Sequence, residues 1–316
     1  MITVSGLTKR YGTFTAVDDI DFTCEPGRVT GFLGPNGAGK TTTMRVMVGL
    51  TPATAGQARI GGHRYADIPN PGRHVGVLLD ASAQHAGRTG REVLTLAART
   101  MGLPVARVDE MLDLVSLSRA EAKRRVRNYS LGMRQRLGIA NALMGDPSVL
   151  ILDEPANGLD PAGIRWMRDL LKSYADRGGT VLLSSHLLAE VEQIADEMIL
   201  IGRGRIVARG DKQSLLNDGS AALTLVTALD NAALGAALVA QGITVESVGQ
   251  GLRVHAEPAV VGRVAVDRRI VLVDLRTMEA NLEELFLSLT SDSARDTVSA
   301  VDSSGPSAAD SEGALA

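Results

Sequence analysis

The fold is decided by a short stretch near the N-terminus, Gly34-Pro35-Asn36-Gly37-Ala38-Gly39-Lys40-Thr41-Thr42. An apolar run, Arg28 to Leu33, precedes it, and we predict a helix from Lys40 to about Gly49. The pattern G-x-x-x-x-G-K-[ST] between a strand and a helix is typical of a phosphate-binding loop. Its glycines allow backbone N–H groups to face phosphate oxygens, and the helix start adds a positive end. We therefore expect Lys40 to contact the β- and γ-phosphates of ATP and Thr41 to bind Mg²⁺.

A second apolar run, Val149 to Leu152, ends in two adjacent carboxylates, Asp153 and Glu154. The carboxyl ends of strands in open α/β sheets face the ligand crevice. Asp153 is therefore expected to hold Mg²⁺ through water, and Glu154 to polarise the water that attacks the phosphate. A pair of helix-capping acids is the alternative, but capping accounts for one carboxylate and not for both.

The surrounding pattern predicts an α/β fold with a parallel sheet. Ile2 to Phe22 alternates like short antiparallel strands, and residues 81–127 show the spacing of helices at Arg91–Met101 and Val105–Leu114. A strand at Val181–Ser184 follows a predicted helix, Pro161–Tyr174, which completes a βαβ unit.

A smaller unit is predicted from about residue 217, with the element order βαββαβα of a ferredoxin-like α+β module. Its closing helix is expected at Asn281–Leu289. We therefore divide the chain into 1–216, 217–290 and a disordered tail, 291–316, that is rich in serine, alanine and aspartate.

Composition excludes several classes of protein. The formal net charge of −3 gives no electrostatic reason to expect a nucleic-acid partner, and the single cysteine, Cys24, excludes an internal disulfide. We see neither a signal peptide nor an apolar run of the roughly 18–20 residues that span a bilayer.

Several further motifs resemble those of the ABC-type ATPases. Tyr129-Ser130-Leu131-Gly132-Met133-Arg134-Gln135-Arg136 resembles the family's signature, and Asn157-Gly158-Leu159-Asp160 resembles the loop after its catalytic carboxylate. Ser184-Ser185-His186 resembles its switch histidine, and Tyr11 stands where the family places an aromatic ring against adenine. The resemblance covers about Ile2 to Asp211. It implies a P-loop NTPase fold of ABC type, with a RecA-like core, an antiparallel β subdomain and a helical subdomain at about 81–140.

The resemblance also implies roles for individual residues. Tyr11 would stack on adenine, Asn36 to Thr42 would hold the phosphates and Mg²⁺, and His186 would contact the γ-phosphate. Ser130 and Gly132 would complete the site of an opposite subunit, with Asp160 nearby, so that ATP is bound between two subunits of a homodimer or pseudo-dimer.

The sequence departs from the family pattern at the signature and at Asp80. The usual signature, Leu-Ser-Gly-Gly-Gln, has Leu131 in place of a glycine and Met133 in place of the glutamine. Asp80 stands where the family has a glutamine. We expect its oxygen to reach Mg²⁺ or the waters bound to it, although aspartate is shorter and charged.

The signature together with the C-terminal extension resembles ATPases of bacterial drug, antibiotic and bacteriocin exporters. This implies separate transmembrane permease subunits, docked near Gln84–Leu96, and a position at the cytoplasmic face of the cell membrane. One alternative is a soluble ATPase that acts as a nucleotide-dependent regulatory or resistance switch without transport. Another is an ATPase that remodels nucleic acid or ribosomes, but such proteins usually have two cassettes or a long coiled coil.

Overall fold

A computed structural model of the protein describes residues 1–219 and 223–277. Its strands are β1 (Ile2–Tyr11), β2 (Phe14–Cys24), β3 (Val29–Leu33), β4 (Ala55–Ile60), β5 (Val75–Leu78), β6 (Val149–Leu152), β7 (Thr180–Ser185), β8 (Glu197–Gly202), β9 (Arg205–Gly210), β10 (Leu223–Ala228), β11 (Val245–Val248), β12 (Gly251–His255) and β13 (Leu272–Thr277). Its α-helices are α1 (Lys40–Met47), α2 (Gly90–Thr100), α3 (Ala106–Leu114), α4 (Arg119–Ala122), α5 (Leu131–Leu143), α6 (Pro161–Asp176), α7 (Leu188–Val191), α8 (Lys212–Gly219), α9 (Asn231–Val239) and α10 (Pro258–Asp267).

The central sheet has the strand order β5-β6-β7-β3-β8-β9. The first five strands are parallel, and β9 pairs antiparallel with β8 at the edge. Every residue of β3, β6 and β7 is buried, which explains why apolar residues predominate in these strands and fill β6 completely. Since parallel strands end at the same edge, this sheet brings the ends of β3, β6 and β7 together.

A separate antiparallel sheet, ordered β2-β1-β4, lies at the N-terminal end of the chain. β1 and β2 form an antiparallel hairpin, in agreement with the antiparallel strands predicted for Ile2 to Phe22, and Tyr11 is paired with Phe14 at its tip.

The predicted helical segment consists of α2, α3, α4 and α5. Thr89 caps α2 in a capping box with Glu92, and Ser118 caps α4 in the same way with Glu121. The N-terminal residues predicted for the first two helices, Arg91 and Val105, each lie one residue from the observed starts.

The last four strands form an antiparallel sheet ordered β11-β12-β10-β13. Together with α9 and α10 this gives the order βαββαβ, and the first strand lies between the third and the fourth, as in a ferredoxin-like fold. The sheet and its helices share a buried cluster that includes Val226, Leu234, Val254 and Val261. The predicted closing helix, Asn281–Leu289, and the predicted disordered tail lie outside the described residues. Within 1–219 and 223–277, no helix has the length and apolar character required to cross a bilayer.

Candidate active site

The phosphate loop joins β3 to α1. Gly37 and Gly39 have positive φ angles, 83° and 108°, which L-residues with a side chain rarely adopt. At Gly39 a Cβ atom would lie 2.6 Å from the carbonyl oxygen of Ala16, so glycine is required there for space as well. The turn that follows leaves the first N–H groups of α1 without intrahelical partners, and these groups form an anion-binding end.

Lys40 is buried at the start of α1 and lies between the loop and the end of β6. Its ammonium donates to the carbonyl oxygens of Gly34 at 2.6 Å and Pro35 at 3.3 Å, and it lies 3.5 Å from Oε1 of Glu154. Burial lowers the pKa of Lys40, and the negative charges of Glu154 and Asp153 act in the opposite direction. The lysine is thus a buried cation beside two carboxylates, at the end of the loop where a phosphate is expected to bind.

Asp153 lies beside the hydroxyl group of Thr41. Thr41 Oγ1 donates to Asp153 Oδ2 at 2.5 Å, and the Ser184 hydroxyl donates to Asp153 Oδ1. A hydroxyl and a carboxylate oxygen at this separation form a donor set that suits Mg²⁺, a hard cation that prefers oxygen ligands. The residues therefore fit the metal that the sequence predicts.

Glu154 is the centre of the hydrogen-bond network at this edge of the sheet. Its Oε1 faces Lys40, and its Oε2 lies 2.9 Å from Nδ1 of His186. Its own backbone has a φ of 48°, in the left-handed region. The structure thus brings Lys40, Asp153, Glu154 and His186 together, although they come from three separate parts of the chain.

A further carboxylate, Glu190 of α7, lies close to this network. Its Oε2 is 3.4 Å from the hydroxyl of Ser185, which also accepts the N–H of Leu187. Burial raises the pKa of Glu190, and the charge of Glu154 raises it further. The hydroxyl of Ser185 thus stabilises the turn that carries His186, by accepting the N–H of Leu187.

The loop opens into a cleft of about 320 Å³. Its lining includes Tyr11, the predicted adenine contact, and Phe14, which the sequence analysis did not identify. These residues are 49% and 63% exposed, and they are paired with each other in the register of the hairpin. An aromatic residue on each side of the turn at Gly12 was the signal that could have identified Phe14. The full lining is Tyr11, Phe14, Ala16, Pro35, Asn36, Gly37, Gly39, Lys40, Thr41, Thr42 and Glu154.

The signature residues do not line this cleft in the described part of the chain. Ser130 is exposed and caps α5 by accepting the N–H of Met133 at 3.2 Å. A Cβ atom at Gly132 would lie 2.7 Å from the carbonyl oxygen of Gly158, and Leu131 packs against that same glycine. Asp160 caps α6 by accepting the N–H of Gly163 at 2.8 Å.

Asp80 follows β5, the neighbour of β6, and is exposed. Its carboxylate accepts the N–H of Ser82 at 2.7 Å and so closes its own turn. The structure therefore places Asp80 at the correct edge of the sheet without making it a lining residue of the cleft.

Comparison with known proteins places this architecture in a family. The family model described as "ABC transporter" matches residues 17–157. The chain is 36% identical to the uncharacterised ABC transporter ATP-binding protein YhcH of Bacillus subtilis, over 92% of this chain and 96% of the relative. This chain belongs to the ABC transporter family. As a member it is an ABC-type ATPase: the phosphate loop and paired carboxylates predicted the ATPase, and the resemblance of the signature and switch-histidine motifs implied the ABC type.

Other relatives of this ABC ATPase have names that state an exported compound or resistance to a drug. It is 36% identical to the Nod factor export ATP-binding protein I of Ralstonia nicotianae, over 94% of this chain and 95% of that one. It is 35% identical to the daunorubicin resistance ATP-binding protein DrrA3 of Streptomyces coeruleorubidus, over 93% of this chain and 97% of the relative.

A solved structure of an ATP-binding subunit of an ABC transporter is 29% identical, with a TM-score of 0.64, over 69% of this chain and 92% of that one. The predicted fold class is therefore confirmed.

Proposed function

We propose that this ABC ATPase powers the export of drugs, antibiotics or similar amphipathic compounds. The observation that carries the proposal is the alignment with exporter and resistance subunits over nearly the whole length of both chains, C-terminal extension included. We infer the same division of the chain as from the sequence: an ATPase domain at 1–216, with a helical subdomain at about 81–140, and a C-terminal module at 217–290.

In the proposed reaction, Lys40 and the loop N–H groups bind the phosphates of ATP. Thr41 and Asp153 would hold Mg²⁺, which neutralises phosphate charge when it is bound. Glu154 accepts a proton from the attacking water, and His186 orients that carboxylate and the γ-phosphate. The contacts of Glu154 with Lys40 and His186 support this assignment because they fix both of its oxygens within 3.5 Å of a partner.

Ser130 and Gly132 would act in the site of a second subunit. Ser130 is exposed at the N-terminus of α5. Gly132 has no side chain and so allows the backbone of Gly158 to lie close to the start of the helix. The start of a helix attracts an anion, so this surface suits the γ-phosphate held by a partner's loop. We therefore propose an ATP-sandwiched dimer, with transmembrane permease subunits at the cytoplasmic face of the membrane.

The proposal is tested by reconstituting the ATPase into vesicles with a candidate permease. We expect Mg²⁺-dependent ATP hydrolysis to rise when an amphipathic drug is added and the drug to move away from the side that holds the ATPase. Glu154→Gln in the same vesicles is the control for hydrolysis-driven movement. Stimulation by an imported solute together with its binding protein, and by no drug, would contradict export.

A further inference from the structure

The main chain of Glu154 is held on both sides by buried side chains from other elements. Its N–H donates to Oγ of Ser184 on β7 at 3.0 Å, and its carbonyl oxygen accepts Nε2 of Gln135 on α5 at 2.8 Å. Ser184 is 0% exposed and Gln135 is 4% exposed. The N–H is therefore paired with a side chain and not with a sheet or helix ladder. The carbonyl oxygen is paired with the Gln135 amide and also, at 3.2 Å, with the N–H of Asn157 in the turn that follows.

The backbone conformation of Glu154 makes such support necessary. Its φ of 48° lies in the left-handed region, which is unfavourable for a residue with a side chain. Strained conformations of this kind persist only when contacts with the surrounding structure stabilise them, and they are frequent at active sites. Relaxation to an ordinary φ would turn the Cα–Cβ bond and carry the carboxylate away from Lys40 and His186.

We propose that Gln135 and Ser184 are positioning residues that hold Glu154 in this conformation, an inference that rests on the proposed role of Glu154 as the base. A general base must lie within hydrogen-bond reach of the proton it accepts, and small displacements of reacting groups cost large factors in rate. The two bonds fix the residue at its peptide groups and leave both carboxylate oxygens for Lys40 and His186.

Gln135 also connects Glu154 to the N-terminus of α5, which carries the signature residues Ser130 and Gly132 and is called the signature end of α5. It lies on α5, and the N-terminus of this helix carries Ser130, the residue proposed to face the partner's nucleotide. A helix moves as a rigid element, so a shift of its N-terminus towards a bound phosphate is transmitted to the carbonyl group of Glu154. The bond thus makes the position of the base in one site depend on nucleotide in the other site.

The burial of Gln135 supports a role beyond packing. Within the described residues its Oε1 is buried without a hydrogen-bond partner, although most buried polar side-chain atoms are paired. An apolar side chain of the same length would avoid this unpaired oxygen. The amide is therefore explained by the one bond that it makes, to Glu154.

The test compares Gln135→Met, which keeps the length of the side chain and removes the donor, with the wild type. Ile139→Met is the matched control, because it introduces the same residue one turn further along α5 at another buried position. For Gln135→Met we expect kcat for ATP to fall about tenfold, the effect of one hydrogen bond in the transition state, with KM within about twofold. Ile139→Met should keep the wild-type kcat.

Ser184→Ala provides an independent variant if Gln135→Met does not fold. It should also lower kcat at saturating Mg²⁺, and it should raise the Mg²⁺ requirement because Ser184 contacts Asp153. In a Glu154→Gln background, Gln135→Met should cause no further decrease in single-turnover rate, since it acts through the carboxylate.

An unchanged kcat in both variants, or an equal loss in Ile139→Met, would overturn the inference. A rise in KM without a fall in kcat would overturn it as well. Wild-type turnover by Glu154→Gln would instead remove the proposed base, and the two failures are thereby distinguished.

Discussion

The nucleotide cleft and the signature end of α5 differ in what one chain provides. In the cleft, Glu154 contacts Lys40 and His186, and Asp153 contacts Thr41, all within 3.5 Å. At the signature end, Ser130 is exposed and its hydroxyl serves as a helix cap. This difference supports the proposal that one chain binds MgATP by itself, whereas hydrolysis needs a surface that a second chain supplies.

The largest effect is expected at the base. Glu154→Gln keeps the volume of the side chain but removes proton acceptance, so turnover should fall by roughly 10²–10⁴-fold. ATP affinity should change little, because the phosphates are bound by the loop. Steady-state ADP release and equilibrium binding of labelled ATP measure the two quantities, and an equal loss of both would remove the distinction between binding and hydrolysis.

A charge at the signature end should reduce hydrolysis without affecting binding. Ser130→Asp keeps a good helix cap but places a negative charge where a partner's γ-phosphate is expected. Like charges brought together cost several kcal/mol, so turnover should fall about a hundredfold. Ser130→Asn is the matched control, since it also caps the helix and is neutral. Equal turnover of the two variants would show that no phosphate approaches this helix.

Loss of the loop cation should act on binding first. Lys40→Ala removes charge-assisted bonds worth about 1.5–3 kcal/mol, which corresponds to roughly a 10- to 100-fold weaker affinity for ATP. Isothermal titration calorimetry with ATP and with adenosine separates the contribution of the phosphates to the binding free energy from that of the nucleoside. Adenosine affinity should be unaffected, and a similar loss for both ligands would indicate damage to the whole cleft.

The smallest effect is expected at the aromatic rim. Base–aromatic stacking contributes about 1–3 kcal/mol, and exposed rings lie at the lower end of that range. Tyr11→Ala should therefore weaken ATP binding by about fivefold to tenfold. Phe14→Ala tests whether the ring of Phe14, which the sequence analysis did not identify, also stacks on adenine. If Phe14→Ala has the larger effect, the adenine contact belongs to Phe14.

Much of the cleft could be predicted because its signals are local in sequence. The loop from Gly34 to Thr42 contains its own glycines, cation and hydroxyl, and Asp153 and Glu154 directly follow a buried strand. The first six elements of the βαββαβα order predicted for the C-terminal module were also found, since these strands and helices are short, regular and separated by turns.

The contacts of Ser184 and Gln135 could not be predicted in the same way. Ser184 reaches Glu154 because β6 and β7 are paired with Leu152 opposite Leu183. Gln135 reaches it because α5 packs beside the sheet, a relation that no short pattern encodes. The turn at Asp80 was not predicted either: its carboxylate accepts the N–H of Ser82, two residues away. The contact of Asp80 with Mg²⁺ or its waters stays a prediction.

The most direct test of the central claim is the specific ATPase activity of the wild-type chain as a function of its concentration. We predict that each chain binds one ATP at all concentrations, whereas turnover per chain rises with concentration as dimers form. Sedimentation in the same buffer establishes the oligomeric state at each point. Undiminished turnover per chain where the protein is entirely monomeric would show that one chain holds a complete site, and would contradict the account.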